Sequence, residues 1–298
     1  MHRAVMLKEV LAWLQPRSGA TFVDGTLGEG GHSRAILEGS EPSGRLFGFD
    51  RDAEALAAAK EALHAYGERA MLIHASYREA ATLLPDMAPC GASGVLLDLG
   101  VSSRQLEASA RGFSFQTQGP LDMRMDSRES ATAADLVNRL PETELARILF
   151  EYGEERYSRR IARAITRRRE TGLIMTTHAL VDVIRAAVPR AYLHGRLHFA
   201  TRTFQALRIA VNHELEELAT SLPMLAGLLA PGGRLVILSF HSLEDRIVKQ
   251  GFRTLGTDSR GEFLILTKRP IPPSREECIA NPRARSAKLR VLARKEAA

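Results

Sequence analysis

Over the first hundred residues, short apolar runs alternate with helical patterns, and this restricts the fold more than any other feature. Thr21-Phe22-Val23-Asp24 reads as a strand, followed by a glycine-rich turn and a helix from about Ser33. Leu46-Phe47-Gly48-Phe49-Asp50 reads as a second strand, and an alanine-rich helix from Asp52 to Tyr66 follows it. Met71-Leu72-Ile73 and Val95-Leu96-Leu97-Asp98 are the third and fourth strands. Strands that alternate with helices imply right-handed crossovers and a parallel sheet.

The alternation stops between about 107 and 200. Leu145, Ile148, Leu149 and Tyr152 form an amphipathic stripe. Ile161, Ala164 and Ile165 extend it beyond Gly153, and Arg167-Arg168-Arg169 close its last turn, where arginine suits the helix dipole. Thr177 is the expected cap of a helix through Leu180 and Ile184. Alternation then resumes. Phe204 to Leu229 reads as helical, with a break or kink expected at Pro223. Leu235 to Phe240, Phe263 to Leu266 and Leu289 to Leu292 complete seven strands, with a helical insert after the fourth.

Composition excludes several classes. Of the 298 residues, 45% are hydrophobic and 26% charged, the balance of a globular chain rather than a disordered one. No apolar run approaches the ~20 residues of a membrane span. Met1-His2-Arg3-Ala4 lacks the apolar core of a signal peptide. Cys90 and Cys278 are the only cysteines, too few for a zinc cluster or a disulfide framework. No metal is expected, and the expected location is the cytoplasm. The net charge of +6 is unevenly spread. Residues 1–103 carry 9 bases and 13 acids; residues 104–208 carry 18 bases, all arginine, and 12 acids. Residues 251–298 carry 11 bases and 5 acids. Arginine binds phosphate bidentately and stacks on bases, so these segments suit a polyanion such as RNA; they equally suit solvated helix faces.

The segment richest in chemistry is Asp24-Gly25-Thr26-Leu27-Gly28-Glu29-Gly30-Gly31-His32, between the first strand and the first helix of the alternation. Glycines there let the backbone turn tightly and approach a ligand. Parallel sheets bind ligands at the carboxyl ends of their strands. Asp50 ends the second strand, where an acid accepts hydrogen bonds from ribose hydroxyls; it also suits a helix N-cap, as does Asp52. NAD and S-adenosylmethionine would both use such an acid. Asp24 tips the balance toward S-adenosylmethionine, since a carboxylate beside this turn receives a cationic amino group and repels a pyrophosphate. Polar groups in Asp98-Leu99-Gly100-Val101-Ser102-Ser103 face the position from which a methyl group would leave.

These stretches closely resemble the RsmH (MraW) family of bacterial methyltransferases, which act on N4 of a cytidine in 16S ribosomal RNA. The matching segments begin with Asp24 to Ser33, Asp98 to Leu106, Arg111 to Phe115 and Gly119 to Asp126. Ala200 to Arg208, Ser239-Phe-His-Ser-Leu-Glu-Asp-Arg246 and Asn281 to Arg290 continue the match in order. The family usually has proline where Ala4 and Phe199 stand, and phenylalanine where Tyr77 stands.

The resemblance implies an α/β class I S-adenosylmethionine-dependent methyltransferase, a Rossmann-like seven-stranded sheet with an inserted helical domain. The expected core is residues 1–106 with 208–298, and the expected RNA or substrate domain is 107–207. It implies cofactor contacts by Gly30, Gly31, His32, Asp50, Tyr77, Asp98 and Gln105. Taken alone, His32 is as readily a helix cap, Tyr77 as readily core, and Gln105 says nothing. The implied partner is 16S rRNA in the small ribosomal subunit, with the target cytidine in the decoding centre.

The exocyclic amine of cytosine is a poor nucleophile, because its lone pair is delocalised into the ring. Alignment and hydrogen-bond acceptors are therefore the main tools. Asp98, Ser102 and Ser103 are the catalytic candidates, with Ser102 and Ser103 equally suited to capping a helix. Arg111, Phe113, Phe115, Arg124 and Arg202 are substrate candidates, with core packing or internal ion pairs as the plainer alternatives. Asp122 and Asp126 belong to the same charged run, and Arg208 suits either phosphate or an ion pair. The rival functions are an inactive RNA-binding assembly factor, a methyltransferase on a non-RNA acceptor, and an NAD-dependent oxidoreductase.

Overall fold

Seven strands form one sheet in the order β3-β2-β1-β4-β5-β7-β6. They are β1 (Thr21–Asp24), β2 (Arg45–Asp50), β3 (Ala70–His74), β4 (Ala92–Asp98), β5 (Leu229–Ser239), β6 (Phe263–Ile265) and β7 (Lys288–Arg294). The computed structural model describes residues 4–258 and 261–296, so the Met1-His2-Arg3 start lies outside the described residues. All seven strands read from the sequence are present. β1 to β5 are parallel, whereas β7 runs antiparallel to both β5 and β6. The sheet is therefore mixed, the class I methyltransferase arrangement.

Two compact units make up the chain: Met1–Gly100 with Leu215–Ala298, and Val101–Glu214. Residues 101–106 and 208–214 thus group with the helical unit. In the sheet unit, the apolar runs are continuous because both faces are covered. Neighbouring residues divide between the faces by the two-residue strand period. Leu97 joins Val23, Phe47 and Phe49 against Ala80, Leu84, Leu218 and Leu222 of the helices Tyr77–Met87 and Glu214–Gly227. Leu96 joins Phe22 and Leu46 against Val10, Leu14, Ile36 and Leu37 of the helices Leu7–Leu14 and Gly31–Gly39.

The expected break at Pro223 is not found: the helix runs Glu214–Gly227 with Pro223 inside it. The break falls at His213, which adopts φ 51 and ends the helix Thr201–Asn212. Pro223 lacks only one backbone donor, and its buried neighbours Leu222, Leu225 and Ala226 hold the helix against the sheet.

The helical unit packs around Leu145, Leu149, Ile161, Ile165, Leu180, Ile184, Phe204 and Leu207. The stripe read as one extended helix is two, Glu142–Glu151 and Ser158–Thr171. Glu154 has φ 49, and a Cβ on Gly153 would lie 2.6 Å from the Arg202 carbonyl oxygen. Close packing thus requires glycine where the chain turns. Arg169 donates to the Val137 and Leu140 carbonyls, and Arg168 to that of Gly172. The cap of the next helix, Thr177–Ala187, is Thr176 and not Thr177. Thr177 instead donates its hydroxyl to the Thr117 carbonyl and accepts from Gly119 N–H.

Candidate active site

Sheet order reverses between β1 and β4: β2 and β3 lie on one side of β1, β4 and β5 on the other. Such a switch point opens a crevice at the carboxyl ends of the strands. The glycine turn starts there. Gly28 (φ 54) and Gly30 (φ 80) occupy the left-handed region that favours glycine. Leu27 N–H donates to the Phe49 carbonyl at 2.9 Å, and Gly30 N–H to that of Leu27 at 2.9 Å. Gly30 precedes and Gly31 begins the helix Gly31–Gly39.

Asp50 ends β2 and holds this turn from the side. Its Oδ2 accepts Gly28 N–H and its Oδ1 accepts Asp52 N–H, both at 2.8 Å. The helix-capping role falls to Asp52, which accepts Glu54 N–H at 3.0 Å. Burial raises the Asp50 carboxyl above the usual range, against the opposing pull of those two N–H groups.

Asp24 is almost completely buried. Its Oδ2 accepts the Ser33 hydroxyl at 2.7 Å and its Oδ1 accepts Thr26 N–H at 3.2 Å. Burial pushes its carboxyl up to about 6, although the Ser33 hydroxyl and nearby His32 pull it down. Asp24, at 1% exposed with protein donors on both oxygens, is closed to a ligand, whereas the sequence suggested a receptor for an amino group. Asp50 also holds two protein donors but keeps part of its side chain at the surface.

Asp98 ends β4. Its backbone N–H donates to Thr26 Oγ1 at 2.6 Å, which ties the strand end to the glycine turn. Its Oδ2 lies 3.4 Å from His32 Nε2. Asp98 Oδ1 and both ring nitrogens of His32 are buried without a hydrogen-bond partner, so the approach of His32 to Asp98 is a charge contact rather than a hydrogen bond. Burial alone would lower the His32 imidazole. The Asp98 contact, helped by Asp24 and Glu277, outweighs it and leaves the imidazole above its ordinary value. Thr26, which joins β1 to β4, was not singled out in the sequence; its only signal was its place in Asp-x-Thr-x-Gly.

Tyr77 opens the helix that follows β3, with its side chain 5% exposed. A Cβ on Gly25 would lie 2.8 Å from Tyr77 Cβ and 2.5 Å from Leu97 Cδ2, so only glycine lets the turn pass so close to Tyr77. The Arg51 guanidinium stands 5.8 Å from the Tyr77 ring centroid. The sheet unit thus brings Gly30, Gly31, His32, Asp50, Tyr77 and Asp98 to the strand ends around one turn.

The remaining candidates belong to the helical unit. Ser102 caps the helix Ser103–Glu107, accepting Gln105 N–H at 3.2 Å, and Gln105 Oε1 accepts Ser102 N–H at 3.0 Å. The Ser103 hydroxyl is buried without a partner. Arg111 donates to the Arg124 and Met125 carbonyls. Phe113 is buried in the helical core. The Phe115 ring stacks on His198 at 4.5 Å and meets Phe204 edge-on. Arg124 clamps Asp122 through two 2.8 Å bonds, and Asp126 pairs with Arg128. Arg202 donates to the Glu154 carbonyl, and Arg208 forks onto Glu214. Apart from the Ser103 hydroxyl, these groups make contacts inside their own unit. Among the described residues, no cluster of His, Cys, Asp or Glu could hold a metal ion, and no helix is long and apolar enough to cross a membrane.

Comparison with known proteins extends the likeness from this site to the whole chain. Ribosomal RNA small subunit methyltransferase H of Geobacter sp. (strain M21) is 51% identical over 98% of this chain and 97% of its own. The protein of the same name from Geobacter sulfurreducens is 52% identical over 97% of each chain. The one from Kosmotoga olearia is 51% identical over 98% of this chain and 97% of its own. The family described as the MraW methylase family matches residues 1–295, which takes in the glycine turn, both strand-end aspartates and the helical unit alike. With sheet order, strand-end chemistry and full-length similarity in agreement, the chain belongs to the MraW methylase family.

Proposed function

We propose that this protein is an S-adenosylmethionine-dependent methyltransferase of small-subunit ribosomal RNA, acting on N4 of a cytidine in the decoding centre. The observation that carries the reading is 51% identity, over 98% of the chain, to a relative named for small-subunit rRNA methylation. The N4 position and the decoding-centre site rest on the resemblance of the motifs.

The residues of the sheet unit fit the cofactor. When bound, S-adenosylmethionine supplies an electrophilic methyl group on a positively charged sulfur. The turn through Gly28, Gly30 and Gly31 leaves backbone room for it. Asp50 offers carboxylate oxygens to ribose hydroxyls, and Tyr77 an aromatic surface to adenine. The buried, unpartnered Oδ1 of Asp98 suits an N–H donor that carries positive charge. A preoriented carboxylate of this kind stabilises charge that develops on a nitrogen, and His32 holds it in place. Ser103, with its unpartnered hydroxyl, stays a catalytic candidate beside Ser102, and Gln105 a cofactor candidate. In the helical unit, Arg159, Arg160, Arg163 and Arg167 lie on the exposed side of the helix Ser158–Thr171, opposite Ile161 and Ile165. They suit RNA phosphate.

The test is to incubate small ribosomal subunits lacking the modification with the protein and labelled S-adenosylmethionine, then digest the RNA to nucleosides. Label in N4-methylcytidine at one decoding-centre position is the expected result. Label in another nucleoside, or none despite cofactor binding, would overturn the assignment.

A further inference from the structure

The segment Ser239-Phe240-His241-Ser242-Leu243-Glu244 leaves β5 and enters the helix Ser242–Asp258. Neither the cofactor reading nor the RNA reading gives it a task. Its turn is organised by one buried carboxylate. Glu244 is 2% exposed. Its Oε2 accepts Phe240 N–H at 2.8 Å and His241 N–H at 3.3 Å, and its Oε1 lies 3.1 Å from His241 Nε2. A buried carboxylate is tolerated only where donors surround it. Here the donors belong to the residues that leave the strand, so the carboxylate fixes the backbone that carries the Phe240 ring.

The position of that ring follows from the strand register. β5 runs parallel to β4 with Leu238 opposite Asp98, and Leu99 N–H donates to the Leu238 carbonyl at 3.1 Å. Phe240 therefore stands beside the turn after Asp98. A Cβ built on Gly100 would lie 3.9 Å from Phe240 Cδ2, which is van der Waals contact. Gly100 itself has φ 95, so the chain bends away at this point. Phe240 is only half-buried.

Sheet order supplies the direction. The cofactor residues follow the strand ends from Tyr77 after β3, through Asp50 on β2 and the glycine turn after β1, to Asp98 on β4. The next strand in the sheet is β5. A methyl acceptor placed beyond Asp98 meets the end of β5, and the aromatic ring there is Phe240. We propose that Phe240 is the surface on which the methyl-accepting base stacks, and that Glu244 is the positioning residue that holds it. This rests on the rRNA methylation reading above. Every aromatic base offers a π-face to such a ring, and loss of one stacking contact costs on the order of five- to a hundredfold.

The experiment compares wild type, F240A, F240Y, E244Q and the F240A/E244Q double variant. Each is assayed for steady-state methylation of small subunits at saturating S-adenosylmethionine, and separately for the dissociation constant of S-adenosylmethionine. The inference requires F240A to lose about tenfold or more in kcat/KM for subunits, with cofactor affinity unchanged within about twofold. F240Y keeps most of the activity because it keeps the ring. E244Q loses kcat/KM, and the double variant is no worse than F240A, because Glu244 acts through Phe240; a purely structural role would give additive losses. Wild-type kinetics in F240A, failure of F240Y to retain activity, or weakened cofactor binding in step with activity would each overturn the inference and leave the rRNA reading standing. A wild-type protein that binds S-adenosylmethionine but modifies no subunit would overturn both.

Discussion

His32 Nε2 sits 3.4 Å from Asp98 Oδ2, which joins the first turn of the helix after the glycine loop to the end of β4. Both side chains have one further buried atom without a partner. The pair bridges the switch point of the sheet. Its charge state therefore bears on the stability of the sheet unit as well as on ligand binding.

The His32 imidazole is raised above its ordinary value in the folded protein, chiefly because Asp98 outweighs burial. A raised histidine contributes stability below its unfolded value of about 6.5, and that contribution is lost as pH rises through the folded value. H32Q is expected to be less stable than wild type, with the largest gap below about pH 6.5 and a narrowing gap at higher pH. Urea denaturation of both proteins from pH 5.5 to 9 measures this; a gap that widens with pH would contradict it.

Asp24 shifts stability in the same direction with pH, through the cost of a buried charge rather than the loss of a favourable pair. Its carboxyl moves from 3.8 up to about 6 on folding, so its ionisation costs stability as pH rises from about 4 to 6. A shift of that size corresponds to about 3 kcal/mol. D24N, which keeps an acceptor for Ser33, is expected to gain stability relative to wild type over that interval and to hold the gain above it. Thermal melts at pH 4, 5, 6 and 7 give the comparison.

G25A tests the closeness of the glycine turn to Tyr77. The added methyl would lie 2.5 Å from Leu97 Cδ2 and 2.8 Å from Tyr77 Cβ, and both neighbours are buried. Overpacking of this kind costs about 1–3 kcal/mol. Displacement of Tyr77 is expected to weaken S-adenosylmethionine binding by about tenfold, since about 1.4 kcal/mol is a factor of ten. Isothermal titration reads the second effect and denaturant melts the first.

Asn212 is the polar clasp of the helical unit. It accepts Met125 N–H at 2.7 Å and donates to the Met123 and Arg208 carbonyls at 2.8 Å. Met123 is held at φ 63, in the left-handed region. N212A leaves a backbone donor and acceptor without partners in the interior, each worth about 1–3 kcal/mol. The variant is expected to lose about 2–4 kcal/mol in urea melts, and N212D to lose at least as much, because it buries a carboxylate against the Met123 and Arg208 carbonyls.

The exposed arginines of the helix Ser158–Thr171 carry a salt-dependent expectation. R159E/R167E is expected to weaken binding to small-subunit RNA and to lower the slope of log K against log salt by about one to two units. Filter binding from 50 to 300 mM salt checks it. An unchanged slope would place the RNA contact elsewhere.

Much of the sheet was legible along the chain because buried parallel strands are short apolar runs with turn residues at their ends. Thr21–Asp24 and Arg45–Asp50 are such runs. Local chemistry also drew attention to Gly28, Gly30, Asp50 and Asp98, since a turn in the left-handed region favours glycine and a strand-end acid suits either a ligand hydroxyl or a helix cap. The helical unit was harder. A 3.6-residue stripe continues across a bend, so the reversal at Gly153 and Glu154 left no mark in the periodicity. Thr176 and Thr177 are indistinguishable as caps by sequence.

Chain order determined the alternation, the glycine turn, the helical insert and the likeness to one family, because each is written in residues close together along the chain. Tertiary structure alone decided how side chains share their hydrogen bonds. It assigned Asp50 to Gly28 N–H and the helix cap to Asp52, and it gave Asp24 to Ser33 and Thr26. It also left Asp98 Oδ1 without a partner beside His32 and brought Phe240 to Gly100. The approaches of Asp50 to Gly28, of His32 to Asp98 and of Phe240 to Gly100 depend on distances between residues far apart in the chain. A carboxylate's role is set by which donors lie within about 3 Å of it, and that is a property of packing rather than of order.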